Sequence, residues 1–157
     1  MPSVPRCAFP AFIPPLRPSL TDAPPAGDGW LHEIKHDGFR TMLVLGEGTA
    51  RAFTMNGHDW SDRYRGLVAA AGGLGRRAAV IDGEAVVQRP DGVADFGALR
   101  EALARRPHRA AGGDDGIVLF AFDLLHLDGA DFRSRPLEER RACCLRCRPP
   151  SRHRRTT

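Results

Sequence analysis

The sequence has almost no lysine. Of its 23 Lys and Arg residues, Lys35 is the single lysine and the rest are arginine. The two cations differ in chemistry. A guanidinium supplies charge or a phosphate fork but does not lose its proton, whereas an amine can become a nucleophile. Long apolar runs are also missing, so no segment of the sequence reads as a membrane span. Met1 to Pro18 is rich in proline and lacks the continuous apolar stretch of a secretion signal, which makes a cytoplasmic location the default expectation. Of four cysteines, Cys7 stands alone and Cys143, Cys144 and Cys147 crowd together, which is not a secreted disulfide framework. With His153 they match no closed four-ligand zinc spacing.

What is present fits one soluble domain: 157 residues, 42% hydrophobic and 27% charged. The net charge is +4, yet the last 18 residues contribute +7 and no acid, which leaves residues 1–139 at −3. The basic character belongs to the tail. A nucleic-acid-binding module acting through those arginines is one reading, but no aromatic residues interleave there to stack on bases.

Residues 1–29 read as a proline-rich extended lead-in. Trp30 to Lys35 alternates like a strand, which would put Glu33, Lys35 and Asp37 on one face. Arg40 to Leu45 and Thr49 to Thr54 predict a hairpin around Gly46-Glu47-Gly48. Ser61 or Asp62 is positioned to cap a helix running to about Ala71. Ala79 to Val87 predicts a strand containing two carboxylates. Asp95 can cap a helix that repeats Phe96, Leu99 and Leu103. Ala110 to Gly116 reads as a loop, Ile117 to Phe122 as the strand at the sheet centre, and Pro136 as the opening of a helix that buries Leu137. Strands joined by hairpins outnumber helices, so the expected class is α+β with a mostly antiparallel sheet. From Cys143 onward apolar periodicity is lost and the tail, 143–157, reads as disordered or as an out-of-frame end.

Four segments carry chemistry in order. Lys35-His36-Asp37-Gly38-Phe39-Arg40 resembles the K-x-D-G-x-R nucleophile motif of the covalent nucleotidyltransferase superfamily. Phe53 to Trp60 resembles the next ligase motif, Ile81-Asp82-Gly83-Glu84 the strand with a ribose- or metal-contacting glutamate, and Phe120 to Gly129 the nucleoside-binding segment. Taken singly, Asp82-Gly83-Glu84 also reads as a hairpin turn and Phe122 as plain core. Together they resemble ATP-dependent DNA ligases of the bacterial end-joining type, over about Phe9 to Ala142. RNA ligases and capping enzymes are alternatives within the superfamily.

That resemblance implies an incomplete adenylation domain over 30–142, ATP and Mg²⁺ or Mn²⁺ as cofactors, and nicked or broken duplex DNA as partner, with a role in DNA repair and recombination. It implies Lys35 as nucleophile, forming a lysine–AMP intermediate. Glu33 would read the adenine edge, Arg40 would contact ribose or phosphate, Glu84 would hold ribose or metal, and Phe122 would stack on the base. The amine must act unprotonated. Carboxylates beside it oppose this and a divalent metal offsets them. The sequence also departs from the family. Met55 stands where an arginine is usual and supplies no donor. A later Glu-Gly strand, a lysine-bearing strand and the OB-fold do not follow, so the chain is expected to be truncated and impaired. Such a chain is expected to be an impaired adenylyltransferase, with a complementing second polypeptide as a possible partner; the alternative is a catalytically inactive piece that at most binds nucleotide.

Overall fold

The computed structural model describes residues 9–74, 78–105 and 116–146, with Leu145 and Arg146 described by backbone alone. Cys7, Cys147, His153, most of the 110–116 loop and the tail from 147 lie outside the described residues.

Five strands, β1 (Phe39–Gly46), β2 (Thr49–Thr54), β3 (Ala79–Val87), β4 (Ile117–Leu127) and β5 (Ala130–Asp131), are interspersed with α1 (Arg65–Gly72), α2 (Phe96–Ala104) and α3 (Leu137–Arg146). The strands form one sheet in the order β2-β1-β3-β4-β5, and every pairing is antiparallel. The α+β class expected from the sequence is the one observed. The β1–β2 hairpin closes on the pair Gly46 with Thr49. Its two turn residues, Glu47 (φ 52°) and Gly48 (φ 77°), both have positive φ, the primed-turn geometry that matches strand twist.

Alternation along the strands sends side chains to two faces. On one face Leu43, Leu45, Ile81 and Leu124 meet Leu67 and Ala71 of α1 and Leu99 and Leu103 of α2. Each fully buried leucine contributes on the order of 1.5–3 kcal/mol. On the other face Met42, Val44, Val80 and Leu125 are covered by Phe9, Phe12 and Ile13 of the lead-in. The lead-in therefore supplies the second layer over one end of the sheet.

The helix signals divide. Asp95 caps α2, its carboxylate accepting from the Ala98 N–H at 2.9 Å. Ser61 and Asp62 cap nothing. Helix α1 starts after Tyr64, which makes no side-chain cap. The Ser61 hydroxyl instead accepts from the Ala52 N–H at 3.0 Å, tying the loop back to β2, and Asp62 takes Arg65.

Four other expectations change. Residues 31–36 form no strand, and Ile34 is 81% exposed. Alternation permits a strand, but a ladder partner is what makes one, and pairing with β3 starts only at Phe39. The sheet centre is β3. Strand β4 pairs along its length with β3, but on its far side only His126 and Leu127 meet β5. Helix α3 packs on β4 and runs through Arg146, carrying Cys143 and Cys144 against the core. Leu137 is only half-buried, and Phe132 is the buried anchor just before α3.

Candidate active site

The second sheet face changes character along its length. One end is apolar beneath the lead-in. At the other, the same alternation brings Arg40 of β1 opposite Glu84 of β3, with Asp82 two residues along. The Arg40 guanidinium grips Asp82 twice, Nε to Oδ1 at 3.1 Å and Nη2 to Oδ2 at 2.7 Å. Its remaining terminal nitrogen, Nη1, donates to the Leu16 carbonyl at 2.7 Å. The guanidinium carbon lies 5.6 Å from the centre of the Phe122 ring. Asp82 is almost fully buried, so the pair is largely desolvated, and the bond to Asp82 holds Arg40 above its usual range.

Glu84 is half-buried. Burial pushes its carboxyl up, against the opposing pull of the Lys35 and Arg40 charges. Lys35 itself is exposed, in the segment that leads into β1. Gly38 fixes how that segment enters the sheet. A Cβ on Gly38 would stand 2.3 Å from the Ala85 carbonyl oxygen, so only glycine lets the chain pass this close to β3. His36, beside the lysine, stacks on Phe120 with ring centres 4.0 Å apart and planes 9° apart. Phe120 in turn sits opposite Glu84 in the β3–β4 register.

Of the residues singled out from sequence, Arg40, Glu84 and Phe122 come together, and Lys35 lies within the electrostatic reach of Glu84. Glu33 does not join them. It is ion-paired with Arg141 of α3, on the side where Asp123 pairs with Arg140 at 3.3 Å. Burial raises the Asp123 carboxyl, and Arg140 pulls it back. Asp82, His36, Phe120 and Leu16 complete the constellation, and sequence reasoning gave none of them a role. Asp82 left a signal, because it sits two residues before Glu84 in a strand and so shares its face.

The donor set suits a nucleotide. It offers a flat aromatic face, a guanidinium, a primary amine and carboxylates, and hard carboxylate oxygens are the ligands Mg²⁺ prefers. Among the described residues no group of three or more His, Cys, Asp or Glu is arranged to hold a metal, so any ion would lean on Glu84 and on the nucleotide's own phosphates.

An arginine, two carboxylates and an aromatic gathered at one end of a single face of a small antiparallel sheet, with a lysine in the segment that leads into it, fit a nucleotidyltransferase-type domain. Residues 21–154 match the family described as ATP dependent DNA ligase domain. The chain is 41% identical over 137 residues to the multifunctional non-homologous end joining protein LigD of Pseudomonas aeruginosa, covering 87% of this chain and 16% of that protein. It is 34% identical over 119 residues to a DNA ligase of Pyrobaculum islandicum, covering 73% of this chain and 20% of that one. The fold superposes on a mycobacterial DNA ligase D complexed with ATP and MES with a TM-score of 0.61 and 31% identity, over 73% of this chain and 35% of that one. The chain belongs to the ATP-dependent DNA ligase family. It spans a sixth or less of the length of the LigD proteins it matches.

Proposed function

We propose that this chain carries the adenylation chemistry of an ATP-dependent DNA ligase of the end-joining type. In that reaction the Lys35 amine attacks the α-phosphate of ATP. The N–P bond forms, the bond to pyrophosphate breaks and the amine proton is released. Phe122 supplies the stacking face for adenine, Arg40 contacts ribose or phosphate, and Glu84 holds ribose or a Mg²⁺ or Mn²⁺ ion, whose charge would offset the carboxylates beside the amine. Glu33 would read the adenine edge once released from Arg141. The AMP would then pass to the 5′-phosphate of nicked or broken duplex DNA, with the remaining ligase segments supplied by further polypeptide. DNA repair in the cytoplasm is the setting this implies. We take the adenylation unit to begin at 30, after the 1–29 lead-in, and to run past 142 to the end of α3, since Cys143 and Cys144 pack on its core.

The observation that carries this reading is the convergence of Arg40, Glu84 and Phe122 at one end of one sheet face, with the only lysine of the chain close to Glu84. A second reading, nucleotide binding without transfer, is favoured by the way Arg40 spends its donors on Asp82 and Leu16, and by Met55, which offers the nucleotide no hydrogen bond. Intact mass after incubation with ATP and Mg²⁺ separates the two. An added AMP that disappears in Lys35→Ala establishes transfer. Saturable ATP binding with no adduct supports the second reading.

A further inference from the structure

We propose that Arg17, delivered by the lead-in, is a phosphate-binding residue of the nucleotide site. The inference rests on the nucleotide reading above and adds a residue to that site. The β1–β2 ladder ends at Thr41 with Thr54, and Met55 and Asn56 form the turn that follows, as Arg40 precedes Thr41 on β1. Met55 is 37% exposed and has no hydrogen-bond donor on its side chain. Two contacts pin the lead-in at this point. The Leu16 carbonyl accepts from Arg40 at 2.7 Å, and Arg17 Nη2 donates to Asn56 Oδ1 at 3.3 Å. Phe12 packs beneath the same loop, close to Gly57.

Arg17 is thus held at the rim of the site, within one residue of the atom that touches Arg40. Its partner there is a neutral amide oxygen at the long end of hydrogen-bond range. Other arginines of this protein lie on carboxylates, as Arg65, Arg133 and Arg140 do. Arg51 and Arg63 lie over the rings of Phe9 and Trp60. Arg17, one residue from the carbonyl that holds a guanidinium already occupied by Asp82, has a neutral partner on an exposed side chain. A guanidinium in that state is matched to a phosphate, which it can grip with two parallel bonds. Arg40 is then left to the ribose side of the ligand, and Arg17 makes the anionic contact.

The test is equilibrium binding of ATP and of adenosine to the full chain, comparing wild type with Arg17→Gln. Glutamine keeps an N–H for Asn56 and loses the charge, and the exposed position leaves the fold intact. ATP affinity is expected to fall about tenfold or more, while adenosine affinity stays unchanged. Met55→Arg, added to Arg17→Gln, is expected to restore ATP affinity, because it places a guanidinium next to Asn56, the residue that Arg17 holds. Wild-type binding of ATP that Arg17→Gln leaves unaltered overturns the proposal and spares the nucleotide reading. Failure of the wild type to bind either ligand overturns both. Weakened binding of a 5′-phosphorylated nick, with ATP binding unchanged, would move the contact to DNA and overturn the assignment to the nucleotide.

Discussion

Arg40 and Asp82 form a two-point ion pair across neighbouring strands, with the carboxylate side chain 3% exposed and the guanidinium 21%. The pair sits where the sheet face passes from apolar core to reactive site, so it belongs to both. Removing one partner strands the other charge in a poorly solvated place. Arg40→Ala is expected to destabilise the fold by about 3–5 kcal/mol, and Asp82→Ala by less, because the bereaved arginine is the more exposed of the two. The double variant Arg40→Gln with Asp82→Asn should recover much of the loss. Urea unfolding of the four proteins checks the order.

The entry of the lysine segment depends on Gly38. Gly38→Ala would drive its Cβ into the Ala85 carbonyl, and because that neighbour is backbone it cannot swing aside. The expected cost is about 1–3 kcal/mol. The strand start must also shift, which moves Lys35 relative to Glu84. Stabilising the variant with osmolyte should therefore restore folding, followed by circular dichroism, without restoring the AMP adduct. Full recovery of adduct together with fold would show that the glycine serves packing alone.

Much of this was legible in the sequence. The hairpin, β3 and the Asp95-capped helix follow from alternation and one capping residue, because in each case the local pattern and the tertiary partner agree. Trp30 to Lys35 failed for the opposite reason. Its alternation is real, but none of the described residues pairs with it, and pairing is a property of the whole sheet. The site was legible as residue types, since Lys35, Arg40, Glu84 and Phe122 stand in recognisable segments. Its wiring was not. Neither the Leu16 carbonyl on Arg40 nor Arg141 on Glu33 could be read from spacing, because these contacts join segments 24 and 108 residues apart. Ser61 shows the same limit at small scale. A good capping residue was diverted to the backbone of β2 by a tertiary contact.

The raised carboxyl of Glu84 makes a pH prediction with a definite sign. Burial is the larger influence, with Lys35 and Arg40 opposing it. The folded chain therefore holds this proton more tightly than the unfolded chain. Below the ordinary glutamate range both states are protonated and Glu84 contributes no pH dependence. As pH rises through that range the unfolded state ionises first, and stability falls until the folded carboxyl has ionised too. Glu84→Gln has no proton to lose. Measured against wild type, this variant is expected to become relatively more stable as pH rises from about 4 towards neutrality. Asp123, also raised by burial, adds a slope of the same sign, but it is common to both proteins and cancels in the difference. A stability difference that is flat with pH, or that moves the other way, would mean that the two cations outweigh burial.

Glu33 is tied to Arg141 by a half-exposed ion pair, and that bond keeps it from the cluster around Arg40. Such pairs contribute at most about 1 kcal/mol, so Arg141→Ala should leave thermal stability nearly unchanged. Its effect on ligand binding should be larger in kind. If Glu33 reads the adenine edge, it must first leave Arg141, and the free energy of that pair opposes nucleotide binding. Arg141→Ala is then expected to tighten ATP binding by up to about fivefold, and Glu33→Gln to erase the gain. Titrating ATP against wild type, Arg141→Ala and the double variant decides it. Unchanged affinity in Arg141→Ala would leave Glu33 as a structural link between the lysine segment and α3.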